Sequence, residues 1–294
     1  MIPILRLLRP KQWTKNLLVF AALLFTGTFK DPSYLTLALI AFASMCAASS
    51  ATYIFNDLQD AERDRAHPKK QHRPIASGAV SPSLAIALGL ILALVGLGLA
   101  FWLGTGSLLI VVTYLVIQVL YNAGLKRVPV ADVYAIAFGF VLRAALGAAA
   151  INVKLSGWLL FCTGALALML GFGKRRHEFI QQGEERATTR QSLVHYNRVA
   201  LDGLVIMFAT AAALCYGLYT LESQTAQQYP GIILTAPFVF YGITRYVLLV
   251  FTSDEGGEPE EVLFRDPHLL FSIAFFVLAA GLAIMGFRLP LLER

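Results

Sequence analysis

Asp57, Asp60 and Asp64 stand at i, i+3 and i+7 in the stretch N-D-L-Q-D-A-E-R-D-R-A-H-P-K-K-Q-H-R-P-I-A-S-G, residues 56–78. On a helix these positions share one face, with Asn56 beside it. Three carboxylates so close repel one another; they need a counter-charge or they take up protons. A divalent cation supplies that charge. Mg²⁺ suits best, with Mn²⁺ as its substitute, because it takes only one or two carboxylates from protein and completes its shell with water and substrate phosphate. The pattern therefore predicts a diphosphate bridged by the metal to Asp57, Asp60, Asp64 and Asn56. Pro68 and Pro74 then break the helix. Lys69, Lys70, His72 and Arg73 bring positive charge to where an anion would sit. The bland alternative is a solvated loop of mixed charge. The carboxylate spacing, directly after the apolar A-T-Y-I-F, argues against it.

A second polar stretch reads G-F-G-K-R-R-H-E-F-I-Q-Q-G-E-E-R, residues 171–186. Lys174 and Arg175 at a cavity mouth suit a phosphate beyond the diphosphate. The competing readings are an i, i+4 surface pair of Lys174 with Glu178 and a basic membrane anchor. Single charges in apolar surroundings also stand out. Arg143 lies mid-run in F-V-L-R-A-A-L-G, where a charge costs about 2.5–3.5 kcal/mol on insertion scales and faces a cavity or a partner; cavity facing is the favoured reading. Asp132 begins the same run, about three helical turns earlier on the same face. Lys15 and Asn16 open the first apolar run, and Lys126 and Arg127 fall between the fourth and fifth. Arg245 reads equally as a cavity charge or as a snorkelling side chain. His195 and Tyr196 end the second polar loop, 173–199, in a capping or interfacial role or equally in a catalytic one. Cys46, Cys162 and Cys215 lie in apolar runs at no metal-binding spacing and read as small core residues. The glycines at 171–173 follow no strand and read as helix breakers.

The elements that must position these residues follow from composition. The chain has 294 residues, 57% hydrophobic and only 14% charged, with a mean hydropathy of +0.66. Soluble domains hold about 25% charged residues, so a disordered chain is excluded and a water-soluble globule disfavoured. Apolar runs fall at about 17–29, 34–55, 82–103, 107–121, 130–151, 156–172, 200–221, 231–252 and 268–287, which predicts nine membrane spans. The first run, preceded by Arg6, Arg9, Lys11 and Lys15, has the shape of a signal-peptide core. No convincing small-residue cleavage site follows, so it reads as a span. Of the 24 Lys and Arg, Lys30, Lys154, Arg288 and Arg294 fall in one set of connecting segments and Arg143 and Arg245 within spans. The other 18 fall in the opposite set, which places the N-terminus and the polar loops 56–81 and 173–199 in the cytoplasm. The net charge of +6 is thus an orientation signal and not a mark of nucleic-acid binding.

The run N-D-x-x-D-x-x-x-D, followed by H-P and R-P-x-x-S-G, resembles the first signature of the UbiA-type intramembrane prenyltransferase superfamily. The resemblance covers nearly the whole chain, with its firmest motifs between Arg9 and Tyr196. It implies an all-α polytopic membrane protein: one domain over 1–294, nine helices around a central cavity that opens to the cytoplasm. Most members carry a second Asp-rich motif after the sixth helix, and this chain does not. With R-P-K-Q-W-T-K-N at 9–16, L-K-x-x-P-x-x-D at 125–132, G-F-V-L-R-A at 139–144 and G-K-R-x-x-E at 173–178, that departure resembles the decaprenyl-phosphate phosphoribosyltransferase branch. The branch implies transfer of 5-phosphoribosyl from 5-phosphoribosyl diphosphate to a polyprenyl (decaprenyl) phosphate in the bacterial inner membrane, for cell-wall arabinan. Asp57, Asp60 and Asp64 are then the catalytic metal ligands, with Asn56. Lys15, Arg73, Lys126, Asp132, Arg143, Lys174, Arg175 and Glu178 are substrate contacts, Lys126 matching the basic residue of the family's fourth loop. A homo-oligomer is compatible with this reading. Two alternatives stay open: an aromatic prenyltransferase of quinone or heme pathways, and an anion transporter. The transporter gives no reason for the spaced aspartates.

Overall fold

The computed structural model of the chain describes residues 3–66, 70–154, 156–181, 191–252, 262 and 265–287. Pro68 and Lys69, read above as a helix breaker and a phosphate-side cation, lie outside the described residues, as do Arg288 and Arg294. Regular structure among the described residues is helical throughout. Among the described residues, eight helices are long and apolar enough to cross a membrane. They are α1 (Pro32–Gln59), α2 (Pro82–Leu103), α3 (Thr105–Ala123), α4 (Ala131–Ala150), α5 (Gly157–Gln181), α6 (Arg198–Glu222), α7 (Pro230–Thr252, its first turns Pro230–Thr235 wound as 3₁₀) and α8 (Pro267–Ile284). Three of them start the same way. Proline opens the first turn, and the residue before it caps the end. Asp31 accepts from the Ser33 N–H, Ser81 from Leu84 and Asp266 from Leu269. Proline costs nothing there because its missing N–H had no partner in the helix.

The first expected span is not a long α-helix. Residues Pro10–Phe20 are wound as 3₁₀ and Ala21–Phe25 as one α-turn. Gly27, at φ 69°, then ends the run. Tertiary bonds hold this unusual winding. The Trp13 indole N–H donates to Ser50 Oγ (3.0 Å) and the Asn16 amide to Ser49 Oγ (3.2 Å), both on α1. At Gly147 on α4 the segment comes so near that a Cβ would overlap the Val19 carbonyl, so only glycine fits.

The chain forms two compact units. The first comprises residues 1–24, 28–123 and 142–154; the second comprises 25–27, 124–141 and 155–294, so α4 contributes to both. In the first unit, α1 packs on α2 through small residues. Ser44 Oγ donates to the Gly96 carbonyl at 2.7 Å, the close approach typical of helices in lipid. In the second, α5 packs on α6 around Met169, Phe172, Leu201 and Val205, with the Phe172 and Phe208 rings stacked at 5.6 Å. Polarity is inverted relative to a soluble protein. Leu94, Phe101 and Phe161 are 68–71% exposed, whereas Asn16 and Asp132 are fully buried. Such continuous apolar surface is stable only against lipid, and the protein is a multi-pass membrane protein.

Candidate active site

In the first unit, Asp57 sits in the last turn of α1 and is buried. The helix stops at Gln59. Asp60 takes a bent conformation (φ −93°, ψ 4°), its N–H donating to the Asn56 carbonyl. A separate short helix, Ala61–Ala66, carries buried Asp64. This corrects the expectation of one continuous helical face: Asp57 and Asp64 converge across a bend that Asp60 makes. What joins them is Arg73. Its Nη1 donates to Asp57 Oδ1 at 3.1 Å and to Asp64 Oδ2 at 2.6 Å. Arg9 Nη2 donates to the same Asp57 oxygen at 2.5 Å, and its guanidinium lies over the Tyr53 ring.

Local sequence explains both arginines. Arg73 leads R-P-I-A-S-G, where Pro74, Ile75 and Ala76 are buried. Ile75 and Val80 pack with Leu7, Ile54 and Ala85. The turn closes with Gly78 at φ 76°, a conformation that costs a residue with a Cβ about 1–2 kcal/mol. Arg9 precedes Pro10 at φ 52°. It is pinned by its neighbours: the Leu8 carbonyl accepts from Ser50 Oγ, which itself accepts from Trp13. Sequence reading placed Arg9 in a motif but gave it no role. Its partner lies 48 residues away, and no local spacing reveals that. Asn56 and Lys15 are half-buried.

Mg²⁺ draws on one or two protein carboxylates and takes phosphate and water for the rest. Two buried carboxylates that share one guanidinium nitrogen fit that demand. No three His, Cys, Asp or Glu side chains gather into a cage among the described residues.

Arg143 is buried in the first unit within a polar network. Its Nε donates to Asn16 Oδ1 at 2.7 Å and its Nη2 to Tyr114 Oη at 3.3 Å, with the guanidinium over the Tyr114 ring. Asn16 in turn donates to Cys46 Sγ and Ser49 Oγ. These bonds tie four segments together inside the unit.

In the second unit, fully buried Asp132 lies in the first turn of α4, where the helix dipole favours a carboxylate. Arg175 Nε donates to Asp132 Oδ2 at 2.8 Å, and Arg175 Nη1 to Glu178 Oε2 at 2.7 Å. Ser192 Oγ adds a bond of 3.3 Å to Asp132. Arg175 is 2% exposed; its guanidinium is committed to two carboxylates, which corrects its reading as an open phosphate contact. Lys174 and Lys126 are half-buried, Lys126 in the 3₁₀ turn Leu125–Arg127. Arg176, to which the sequence gave no role, donates to Asp202 Oδ1 and to the Val250 carbonyl, both at 2.6 Å. It braces α5 against α6 and α7. Arg245 is settled as a clamp: its Nη2 meets Asp266 at 2.7 Å, and this bond and the Leu269 N–H hold that carboxyl below the usual carboxylate range.

The chain belongs to the UbiA prenyltransferase family, which matches residues 17–265. Its similarity to particular proteins is narrower. It is 34% identical to decaprenyl-phosphate phosphoribosyltransferase of Mycolicibacterium smegmatis over 96% of this chain and 92% of that one. It is 36% identical to the enzyme of the same name from Corynebacterium glutamicum, over 90% and 81%. A UbiA homolog from Archaeoglobus fulgidus, solved bound to GPP and Mg²⁺, shares the fold at a TM-score of 0.74 and 18% identity, over 96% of this chain and 99% of that one.

Proposed function

We propose that the protein transfers the 5-phosphoribosyl group from 5-phosphoribosyl diphosphate to a polyprenyl phosphate such as decaprenyl phosphate, releasing diphosphate. The observation that carries this reading is the near full-length likeness to two decaprenyl-phosphate phosphoribosyltransferases. The basic Lys174–Arg176 run, where most of the family has a second aspartate motif, agrees with it. Asp57 and Asp64, with Asn56 and Asp60 beside them, hold Mg²⁺, which when bound supplies Lewis-acid stabilisation of charge on the leaving diphosphate. Arg9 and Arg73 serve as counter-ions of the aspartates and turn toward phosphate when donor enters. Lys126 and Lys174 neutralise further phosphate oxygens, and Arg175 holds Asp132 and Glu178 in place. The ribose C1–O bond breaks with its electron pair leaving on diphosphate. A lipid phosphate oxygen, already anionic, forms the new bond to C1. No proton has to move, so no general base is needed.

Purified protein in detergent, given labelled 5-phosphoribosyl diphosphate and polyprenyl phosphate, is expected to move label into the organic phase. No transfer, together with alkylation of an aromatic acceptor by a prenyl diphosphate, would overturn the assignment.

The orientation belongs to the same proposal: one intramembrane domain, N-terminus and site cytoplasmic, with the first apolar run, residues 17–29, as the ninth crossing. A reporter fused after Arg294 is expected on the side opposite one fused ahead of Met1. Both reporters on one side would remove the ninth crossing.

A further inference from the structure

Val130 is a β-branched residue at φ 68°, where its Cβ crowds the following carbonyl and few residues but glycine settle. Strain of that kind persists only where the surroundings enforce it, and it gathers at functional sites. Here the chain on both sides is fixed. Val128 is extended (φ −90°, ψ 121°), as a residue before proline must be. Pro129 has a locked φ. At Ala131 helix α4 begins. The enforcing group comes from a distant turn. The Val130 N–H donates to Tyr196 Oη at 2.5 Å, and Tyr196 is 8% exposed. The 3₁₀ turn Gln191–His195 just before Tyr196 makes a second bond to the same loop, from Ser192 Oγ to Asp132. Two polar contacts from residues 192–196 thus grip this stretch, one at the Val130 backbone and one at the side chain of Asp132, the anchor of Arg175.

We propose that Tyr196 is a positioning residue whose hydroxyl holds Val130 left-handed and so sets where Lys126 and Asp132 stand. Sequence alone left Tyr196 undecided between capping and catalysis; the geometry gives it a third role, acting on the donor site through the backbone. The consequence for substrate rests on the phosphoribosyl reading, whereas the hold on the loop does not.

The test is a double-mutant cycle of Tyr196→Phe and Val130→Gly, read by donor and acceptor KM, by kcat, and by hydrogen exchange of the amides from 126 to 134. Tyr196→Phe keeps the ring and removes the hydroxyl that accepts from Val130. It is expected to raise donor KM about tenfold, with acceptor KM and kcat within about twofold, and to speed exchange of the loop about tenfold. In the Val130→Gly background φ 68° is no longer strained, so adding Tyr196→Phe should change donor KM by less than about threefold. Unchanged exchange in Tyr196→Phe overturns the hold on the loop. Faster exchange with an unchanged donor KM reduces the bond to packing and overturns the positioning role. An equal loss in both backgrounds places Tyr196 against substrate and overturns it as well. If the parent protein turns over no phosphoribosyl diphosphate, the functional proposal fails and exchange alone decides the hold.

Discussion

Asp57→Asn should lose turnover on the order of 10³-fold, about 4 kcal/mol of transition-state stabilisation, while the protein still folds. Asp57 is where the two arginines meet, and it shares Arg73 with Asp64. Removing its charge withdraws a carboxylate from the metal, yet Asn keeps an oxygen that accepts from Arg9. The arginine side chains are 23% and 26% exposed, so water takes over part of what they lose. Metal removal should behave the same way. Arg9 and Arg73 already neutralise the aspartates without a cation, so EDTA is expected to stop turnover and leave the melting temperature within a few degrees. Added Mg²⁺ should restore activity in the parent and not in Asp57→Asn. Full turnover in EDTA would sink the metal role. A collapse of the fold in EDTA would instead show the cation to be structural.

The aspartates were legible because helical periodicity acts over short range: positions 57 and 64 fall on one side whether or not the helix bends at 60. The bend itself was not legible, since nothing in N-D-L-Q-D marks Asp60 as non-helical. Arg9 escaped notice because its role depends on a contact 48 residues distant. The spans were legible as apolar runs, with one exception. Residues 17–25 carry the composition of a span, but the winding is set by Asn16, Trp13 and the approach of Gly147, all tertiary effects that hydropathy does not encode. For Arg143 the sequence found a buried charge that needs partners. The partners, Asn16 and Tyr114, lie in other segments. Lys174 and Arg175 look interchangeable as adjacent cations. Helical phase separates them: Leu168, Phe172 and Arg175 recur at i, i+4 and i+7 on the buried face, and Lys174 is turned off it.

That difference gives neighbouring residues opposite expected failures. Arg175→Ala strips both bonds from an interior ion cluster and leaves the Asp132 carboxylate, 0% exposed, beside that of Glu178. Breaking a buried pair by removing one partner costs about 3–5 kcal/mol, a large share of the stability of any domain. The variant should therefore lose thermal stability or yield, whatever it does to substrate. Arg175→Lys should rescue little, because one ammonium cannot reproduce the two divergent bonds of the guanidinium. Asp132→Asn with Arg175→Met should be more stable than Arg175→Met alone, since the fully buried carboxylate goes together with its counter-ion and only Glu178, 19% exposed, keeps an unpaired charge near water. Lys174 is half-buried and off the buried face of α5, so Lys174→Ala should cost much less stability than Arg175→Ala. If Lys174 reads the sugar 5-phosphate, its loss costs about 1.5–3 kcal/mol, or roughly 10- to 150-fold in donor KM, with acceptor KM unchanged. If it anchors the loop to anionic lipid instead, membrane insertion should fall while donor KM stays put. Donor and acceptor KM of purified Lys174→Ala, measured beside its melting temperature, separate these outcomes. An unchanged donor KM in a stable protein would remove the residue-level argument for a phosphoribosyl donor, and the aromatic prenyltransferase reading would then be the stronger one.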